Sequence, residues 1–400
     1  MTLNAPSAYR PIPERQPAPA KTVMGIIDRY LLRLFLKTLV VLFLSTTGLF
    51  VMVDTTSNFD EFVSYGKAQG GFFRVIFDYY APRVLQFFDR SNGILAMVAG
   101  MFVVSWLYRT NELTAILAGG IPKSRVVRPL ILASAAVSLL GVVNREWAIP
   151  QFREKLIYNA QNWKGENPRP LTPTYDNHTD ILIAGKAVVA AQRKIDEPTF
   201  TLPGSLGAFG TRLTAVRAIQ TPANDDHPAG YLFEEVHNAG KLSQLPSASL
   251  GERNVIYSPA DSPWLSPNQL FVASEVEFEH LAAGHSWHDL SSTRDLVRGM
   301  RSADVDFSAS TRVRVHARIL QPLVDMTLVL IGLPLVLRRS QRNIFLAIGI
   351  SLFVIASFFL VTIASHSLGS LYLVSPAVAA WLPLLLFVPF AAAMSRGIWE

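Results

Sequence analysis

Apolar residues in this chain are gathered into long runs, three before the middle of the sequence and three after it. A helix of about 18 or more apolar residues can cross a hydrocarbon core of ~30 Å. The pattern predicts such spans at residues 30–53, 84–107, 126–147, 319–337, 344–364 and 376–394. Between the two triplets the sequence is polar and alternates over short stretches. VASEVEFE puts Val272, Ser274, Val276 and Phe278 on one face and Glu275, Glu277 and Glu279 on the other, the signature of a half-buried strand. ILIAGKAVVAA from Ile181, TRLTAVRAI from Thr211, YLFEEV from Tyr231 and NVIYS from Asn254 are further strand-like runs, parted by Pro, Gly, Asn and Asp. WHDLSSTRDLVRGM, residues 287–300, predicts a helix lying along the membrane surface and leading back to the fourth span.

The expected fold is therefore a membrane α-helical protein with six transmembrane helices in a 3+3 arrangement and an inserted all-β domain of sandwich, roll or barrel type. The expected divisions are a disordered, Pro-rich tail at 1–24, spans one to three at 25–149, the β domain at 150–311 and spans four to six at 312–400. The tail has no apolar core and no cleavage site of the kind a signal peptide carries, so the first span is expected to direct insertion.

The hairpin between spans two and three, RTNELTAILAGGIPKSRVVRP, is too polar at its start to cross a bilayer. It predicts a short helix at about 111–119. Asn111 stands where an N-cap belongs, Glu112 sits in the first turn where the helix dipole favours a carboxylate, and Gly119, Gly120 and Pro122 stop the helix. Leu113, Ile116 and Leu117 share one face. The segment reads either as an interaction helix that takes force from a soluble motor or as an ordinary capped loop helix.

Half of the 400 residues are hydrophobic and 16% are charged, with a mean hydropathy of +0.29. The 36 Lys and Arg outnumber the 30 Asp and Glu, which in a soluble chain would raise the question of nucleic acid. Here the bases cluster at span ends, so topology explains them and no nucleic-acid partner is implied. Arg29, Arg33 and Lys37 flank the first span, Arg109, Lys123, Arg125 and Arg128 lie in the hairpin, Arg338, Arg339 and Arg342 join spans four and five, and Arg396 follows the sixth. By the positive-inside rule these ends and both termini are cytosolic, and the β domain is extracytoplasmic. The chain has no cysteine, so the exported domain must be held by its core alone.

Ionisable residues within spans are costly. Asp89 and Arg90 on span two and Asp325 on span four each lie about six residues in from the outer end, ~9 Å deep. Three arrangements fit: Arg90 pairs with Asp325, both face a hydrated cavity open to the outer leaflet, or the spans begin deeper and the groups meet lipid headgroups. The chain carries no GxxxxGK[ST] loop, no HExxH, no GxSxG and no Cys nucleophile. His280, His285 and His288 match no usual metal spacing. No cofactor or metal is expected on the chain itself, and energy for transport would come from another subunit.

In order and topology, several segments resemble the lipopolysaccharide export permeases of the LptF/LptG (YjgP/YjgQ) type. They are RYLLRLFLKT (Arg29 to Thr38), NELTAILAGGIPKSRVVRPL (Asn111 to Leu130), NREWAIP (Asn144 to Pro150), HARILQPL with IGLPLVLRR (His316 to Arg339), and AWLPLLLF (Ala380 to Phe387). The resemblance implies a permease subunit of an ABC transporter in the bacterial inner membrane, with ATP used by a cytosolic ATPase dimer. A second permease chain and a bridge of periplasmic β-jellyroll proteins complete the assembly, the β insert being itself a jellyroll. Lipopolysaccharide would be drawn from the surrounding membrane lipids, in a cavity formed by spans one and five. On that reading Glu112 is the acidic residue of a coupling helix that meets the ATPase, with Arg109, Asn111, Leu113, Ile116 and Leu117 around it. The outer end of span one, VDTTSNFDEF, departs from the Lys-bearing pattern of better-known members. That moves the candidates for phosphate recognition to Lys67, Arg74, Arg83 and Arg90, with Asp325 beside them, or to divalent cations bridging Asp60 and Glu61 to phosphate. A membrane scaffold without transport and an ion-coupled carrier are the readings from other classes. Neither would depend on Glu112 meeting a motor.

Overall fold

The computed structural model describes residues 25–69, 71–163, 165–224, 227–251, 253–284, 286–301, 309–337 and 344–399. The tail at 1–24, His285, Arg338, Arg339 and Arg342 lie outside the described residues. Six of the described helices are long and apolar enough to cross a membrane. They are α1 (Ile26–Ser57), α3 (Phe72–Arg109), α5 (Lys123–Val143), α12 (Ala309–Leu337), α13 (Ile344–Ser370) and α14 (Pro376–Trp399). Between them lie α2 (Phe59–Gln69), α4 (Glu112–Ala118), α6 (Ile149–Gln151), α7 (Arg153–Ile157), α8 (Ala239–Leu242), α9 (Phe278–Ala283), α10 (Ser286–Leu290) and α11 (Thr293–Arg301).

Each predicted span is present, but the helices overshoot the membrane. α3 has 38 residues, whereas about 20 suffice for a ~30 Å core. Counting that number back from Arg109 brings the membrane edge to Asp89 and Arg90. Of the three arrangements, the one in which these two groups meet headgroups is the one the helix length favours. The surplus outer turns of α3 pack with α2 around an aromatic cluster of Phe62, Tyr79 and Tyr80. α2 was not anticipated, because its short, acidic sequence reads as a loop.

The expected Arg90–Asp325 pair does not form. Asp325, buried in the bundle, accepts hydrogen bonds from Ser138 Oγ on α5 at 2.9 Å and from Gln321 Nε2 at 2.8 Å. It sits against Gly93, where a Cβ would lie 2.4 Å from its Oδ1. Gly93 is three residues past Arg90, so Arg90 leaves α3 about one turn nearer the β domain. A glycine thus lets two helices close on a polar group that supplies the hydrogen bonding between them. Gly141 likewise lets α5 close on Asn92, whose Nδ2 would be 2.4 Å from an added Cβ and donates within α3 to the Asp89 carbonyl.

Among the described residues the insert forms one antiparallel sheet of nine strands: β1 (Arg169–Pro170), β2 (Thr174–Asp176), β3 (Ile181–Val189), β4 (Lys194–Thr201), β5 (Arg212–Thr221), β6 (Gly230–Val236), β7 (Ala248–Leu250), β8 (Arg253–Tyr257) and β9 (Gln269–Ala273). The order is β1-β3-β4-β5-β6-β9-β8-β7, with β2 also on β3. Its core includes Ile183, Ile195, Phe200, Tyr231, Phe233 and Val272. β4 went unread in the sequence because KIDEPTFT interrupts its alternation with charge and proline. Pairing with β5 lapses at Glu197 and Pro198, where proline has no N–H to donate, and resumes in the same register at Thr199.

Two sequence expectations need correction. The strand read through Glu279 ends at Ala273. Beyond it Ser274 Oγ donates to Asp176 Oδ2 at 2.6 Å and Tyr231 donates to the Val276 carbonyl at 2.9 Å. These side-chain bonds replace the ladder, and Phe278 opens α9. The helix read over 287–300 is two, α10 and α11, broken at Ser291 and Ser292. Ser292 Oγ accepts from the Asp295 backbone N–H at 3.1 Å and so caps a new helix.

Replacing Gly93 with Val should force Asp325 aside and cost about 1–3 kcal/mol by overpacking, read as a lower unfolding temperature of the detergent-solubilised chain. A second expectation concerns pH. His280 lies flat on Trp287, with ring centroids 4.5 Å apart. Burial, helped by the nearby Arg153 guanidinium, pushes its imidazole down to about 4 from the usual 6.5. The neutral ring therefore contributes stability that is complete above about 6.5. It declines as pH falls through that value towards 4. Thermal unfolding followed by tryptophan fluorescence should show this decline, and His280→Asn should flatten it.

Candidate functional site

Polar groups gather at two surfaces, one at each end of the bundle. At the end away from the β domain, α4 forms where its sequence predicts. Asn111 does not cap it as expected: its φ is +59° and its side chain makes no capping bond. Asparagine tolerates this left-handed conformation, and the Asn111 carbonyl still accepts from Ala115 N at 3.1 Å. Gly120, at φ +80°, closes the other end.

The apolar face of α4 is turned inward. Leu113 is fully buried in the core of the bundle, and Ile116 and Leu117 pack partly against it. These three residues, which the resemblance places in the coupling helix, hold the helix on the chain's own bundle, with Ile116 and Leu117 still partly open to solvent. Asn111, Thr114, Ala115 and Ala118 are exposed, with Arg109 beside them. Glu112 is half-buried at their edge and accepts a hydrogen bond from Tyr30 Oη at 2.8 Å, which fixes the carboxylate. An ion pair between Arg125 and Asp28, at 3.0 Å, ties α5 to the start of α1.

At the other end two crevices open beside α3. One, of about 220 Å³, is lined by Phe50, Asp54, Arg83 and Phe87, and the other, of about 210 Å³, by Asp89, Arg145, Asp289, Arg314 and Arg318; both are also lined by Gln86 and Arg90. Arg145 Nε donates to Asp89 Oδ1 at 2.8 Å. Arg314 pairs with Asp289. Arg318 donates to the carbonyls of Ser291 at 2.6 Å, His288 at 2.8 Å and Asp289 at 3.0 Å. Four arginines thus face two aspartates around the second crevice, and the excess charge suits an anion at headgroup depth.

Of the residues proposed from sequence, Arg90 lies in this region, exposed and shared by both crevices. Arg83 also lines a crevice, but its guanidinium is engaged: it donates to the carbonyls of Tyr79 at 2.7 Å and of Tyr158, and lies 3.4 Å over the Tyr79 ring. Lys67 and Arg74 are exposed and line neither crevice. Asp325 lies deeper, in the packing described above. Arg145, Arg314 and Arg318 were missed as site residues. Two of them stand in segments that the sequence singles out, NREWAIP and HARILQPL, so the signal was present without its meaning. A larger cavity of about 840 Å³ opens in the β domain where β8 and β9 part. Leu250, Val255 and Tyr257 line it, with Arg253, Glu275 and His178 among its polar groups.

A bundle of six apolar helices with a β domain inserted after the third defines a polytopic membrane protein. The chain belongs to the family described as lipopolysaccharide export system permease LptF/LptG, which matches residues 29–192 and 258–397. A search of curated proteins finds no match. The protein is thus a multi-pass inner-membrane component of lipopolysaccharide transport and not an enzyme. The family match leaves out residues 193–257, which hold β4 to β8.

Substitutions can separate the two faces of α4. Leu113→Ala should cost about 2–5 kcal/mol as a buried truncation, whereas the exposed Ala115→Ser should stay within about 0.5 kcal/mol of the parent. Thermal unfolding in detergent checks both.

Proposed function

We propose that this chain is one permease half of an ABC transporter that extracts lipopolysaccharide from the outer leaflet of the inner membrane and passes it through its own β domain to a periplasmic bridge of jellyroll proteins. The observation that carries this reading is the placement of polar sites at opposite ends of one bundle. α4 offers a small, exposed surface with an anchored carboxylate where the short loops are basic. The arginine-lined crevices lie some 30 Å away along the helices, at the end that bears the β domain.

The charge bias of the loops supports a cytosolic α4 and cytosolic termini, with the β domain in the periplasm. An ATPase dimer binding at α4 would supply energy, since the sequence has no nucleotide loop of its own. Glu112 would meet a basic residue of that dimer, with Asn111, Thr114 and Ala115 as its neighbours. A second permease chain would cover α1 and α13, the least covered spans: 22% and 17% of their apolar windows are buried, against 61% for α12. Between the two chains an apolar cavity would take the acyl chains, while Arg90 and the arginines of the crevice hold phosphate. The cavity between β8 and β9 is the next compartment on the route.

Purification from mild detergent with mass spectrometry of proteins and lipids tests this reading. The parent should recover an ABC ATPase and lipopolysaccharide, and Glu112→Lys should lose the ATPase while keeping the lipid. Arg90→Gln and Arg318→Gln should each weaken lipid retention about tenfold, the effect of one charge-assisted hydrogen bond. Lys67→Gln and Arg74→Gln should change it far less. Recovery of the parent without any ATPase, or transport driven by an ion gradient alone, would overturn the proposal.

A further inference from the structure

The segment that carries the chain from α5 into the β domain is not a simple helix end. After Val143 the helix widens into a π-turn, Asn144–Ala148, before α6. An insertion of this sort re-aims successive side chains and is frequent at functional sites. Here three successive residues serve two different bodies. Asn144 Nδ2 donates to the Leu85 carbonyl at 2.8 Å, and Arg145 reaches Asp89, so both hold α3. Glu146 turns the other way. Its carboxylate accepts from the Thr293 backbone N–H at 2.8 Å and from Thr293 Oγ1 at 2.5 Å, at the first turn of α11.

α10 and α11 form the corner through which the chain leaves the β domain for α12. That corner is gripped at both helix termini by membrane helices. Glu146 of the π-turn after α5 places a carboxylate at the N-terminus of α11, and Arg318 of α12 places a guanidinium on the last carbonyls of α10. Each charge is of the sign that the helix dipole favours. Arg314 adds its pair with Asp289 of α10. The grip and the crevice use the same side chains, because Arg145, Arg314, Arg318, Asp89 and Asp289 all line the crevice.

A phosphate presents a full negative charge and several acceptor oxygens, and it binds guanidinium more strongly than neutral carbonyls do. We infer that a lipid phosphate entering the crevice competes for Arg314 and Arg318, withdraws them from Asp289 and the α10 carbonyls, and so removes the charged part of the hold on the α10–α11 corner, leaving the apolar contacts of Trp287, Leu290 and Leu296 with Ile149 and Val315 as its remaining attachment. The β domain is then held in one pose while the crevice is empty and held less firmly when a headgroup arrives. Arg318 and Glu146 are positioning residues in this joint. The inference rests on the crevice as a phosphate site, and it adds a response of the β domain to occupancy.

The chain has no cysteine, so a spin-label pair can be introduced without background. Ser64→Cys on α2 and Gln244→Cys in the β domain, both exposed, report the distance between the two bodies by double electron–electron resonance. The full chain is measured in phosphatidylcholine nanodiscs, then with added lipopolysaccharide, and separately with phosphatidylglycerol. Lipopolysaccharide should shift or broaden the distance distribution. A response to lipopolysaccharide alone assigns the phosphate to the transported lipid, and a response to phosphatidylglycerol as well assigns it to anionic lipids at large. Glu146→Gln should show the altered distribution without lipid, and Glu146→Asp should restore the response. If lipopolysaccharide is retained yet neither lipid moves the distribution, the joint is refuted and the binding reading stands. If the parent retains no lipopolysaccharide, both fall.

Discussion

Hydrocarbon does not tolerate an unanswered charge, and the placement of polar groups in this molecule follows from that constraint. Asp325, the deepest of the ionisable groups considered, is enclosed by Ser138 and Gln321 at a point where Gly93 lets α3 come close. Towards the β domain, α3 reaches the membrane edge at Asp89, and there the ion pair with Arg145 closes the bundle. The remaining arginines sit at this same edge, where water and headgroups can solvate them. The ring that seals the end of the bundle is therefore also the place best able to hold a lipid phosphate.

That ring is also where the β domain is fastened. The π-turn after α5 lets adjacent residues face α3 and α11, and Arg318 reaches the end of α10 from the opposite side. These side-chain charges ring an apolar contact of Trp287, Leu290 and Leu296 with Ile149 and Val315, and unlike that contact they can be exchanged for another charge without unfolding either body. If a lipid phosphate takes those arginines, the two halves of the protein have a physical means of exchanging information.

Much of the architecture was legible because it depends on local rules. Span length and charge bias give the six helices and the expected orientation, and a first-turn Glu112 with a Gly119-Gly120 stop gives α4. What escaped depends on partners distant in sequence. Arg90 and Asp325 looked like a pair at equal depth, but residues one turn apart on α3 meet different neighbours, and Gly93 rather than Arg90 faces Asp325. Arg318 gave no sign of its role because it bonds backbone carbonyls, which no residue type announces. Leu113, Ile116 and Leu117 share a face as their spacing predicts, yet spacing alone cannot say whether that face meets a partner or the chain's own bundle. β4 was hidden by Pro198, which a paired strand can accommodate when its neighbours resume the register.

On the proposed function, ATP hydrolysis by a partner moves lipopolysaccharide from the membrane half into the β domain. A photo-crosslinking residue in place of Tyr257, inside the cavity between β8 and β9, tests it most directly in liposomes that hold the assembled transporter and lipopolysaccharide. The account predicts that crosslinking to the lipid rises on adding ATP and stays at its basal level with a non-hydrolysable analogue. Crosslinking that is equal with and without hydrolysis, or that rises with an ion gradient alone, would contradict it.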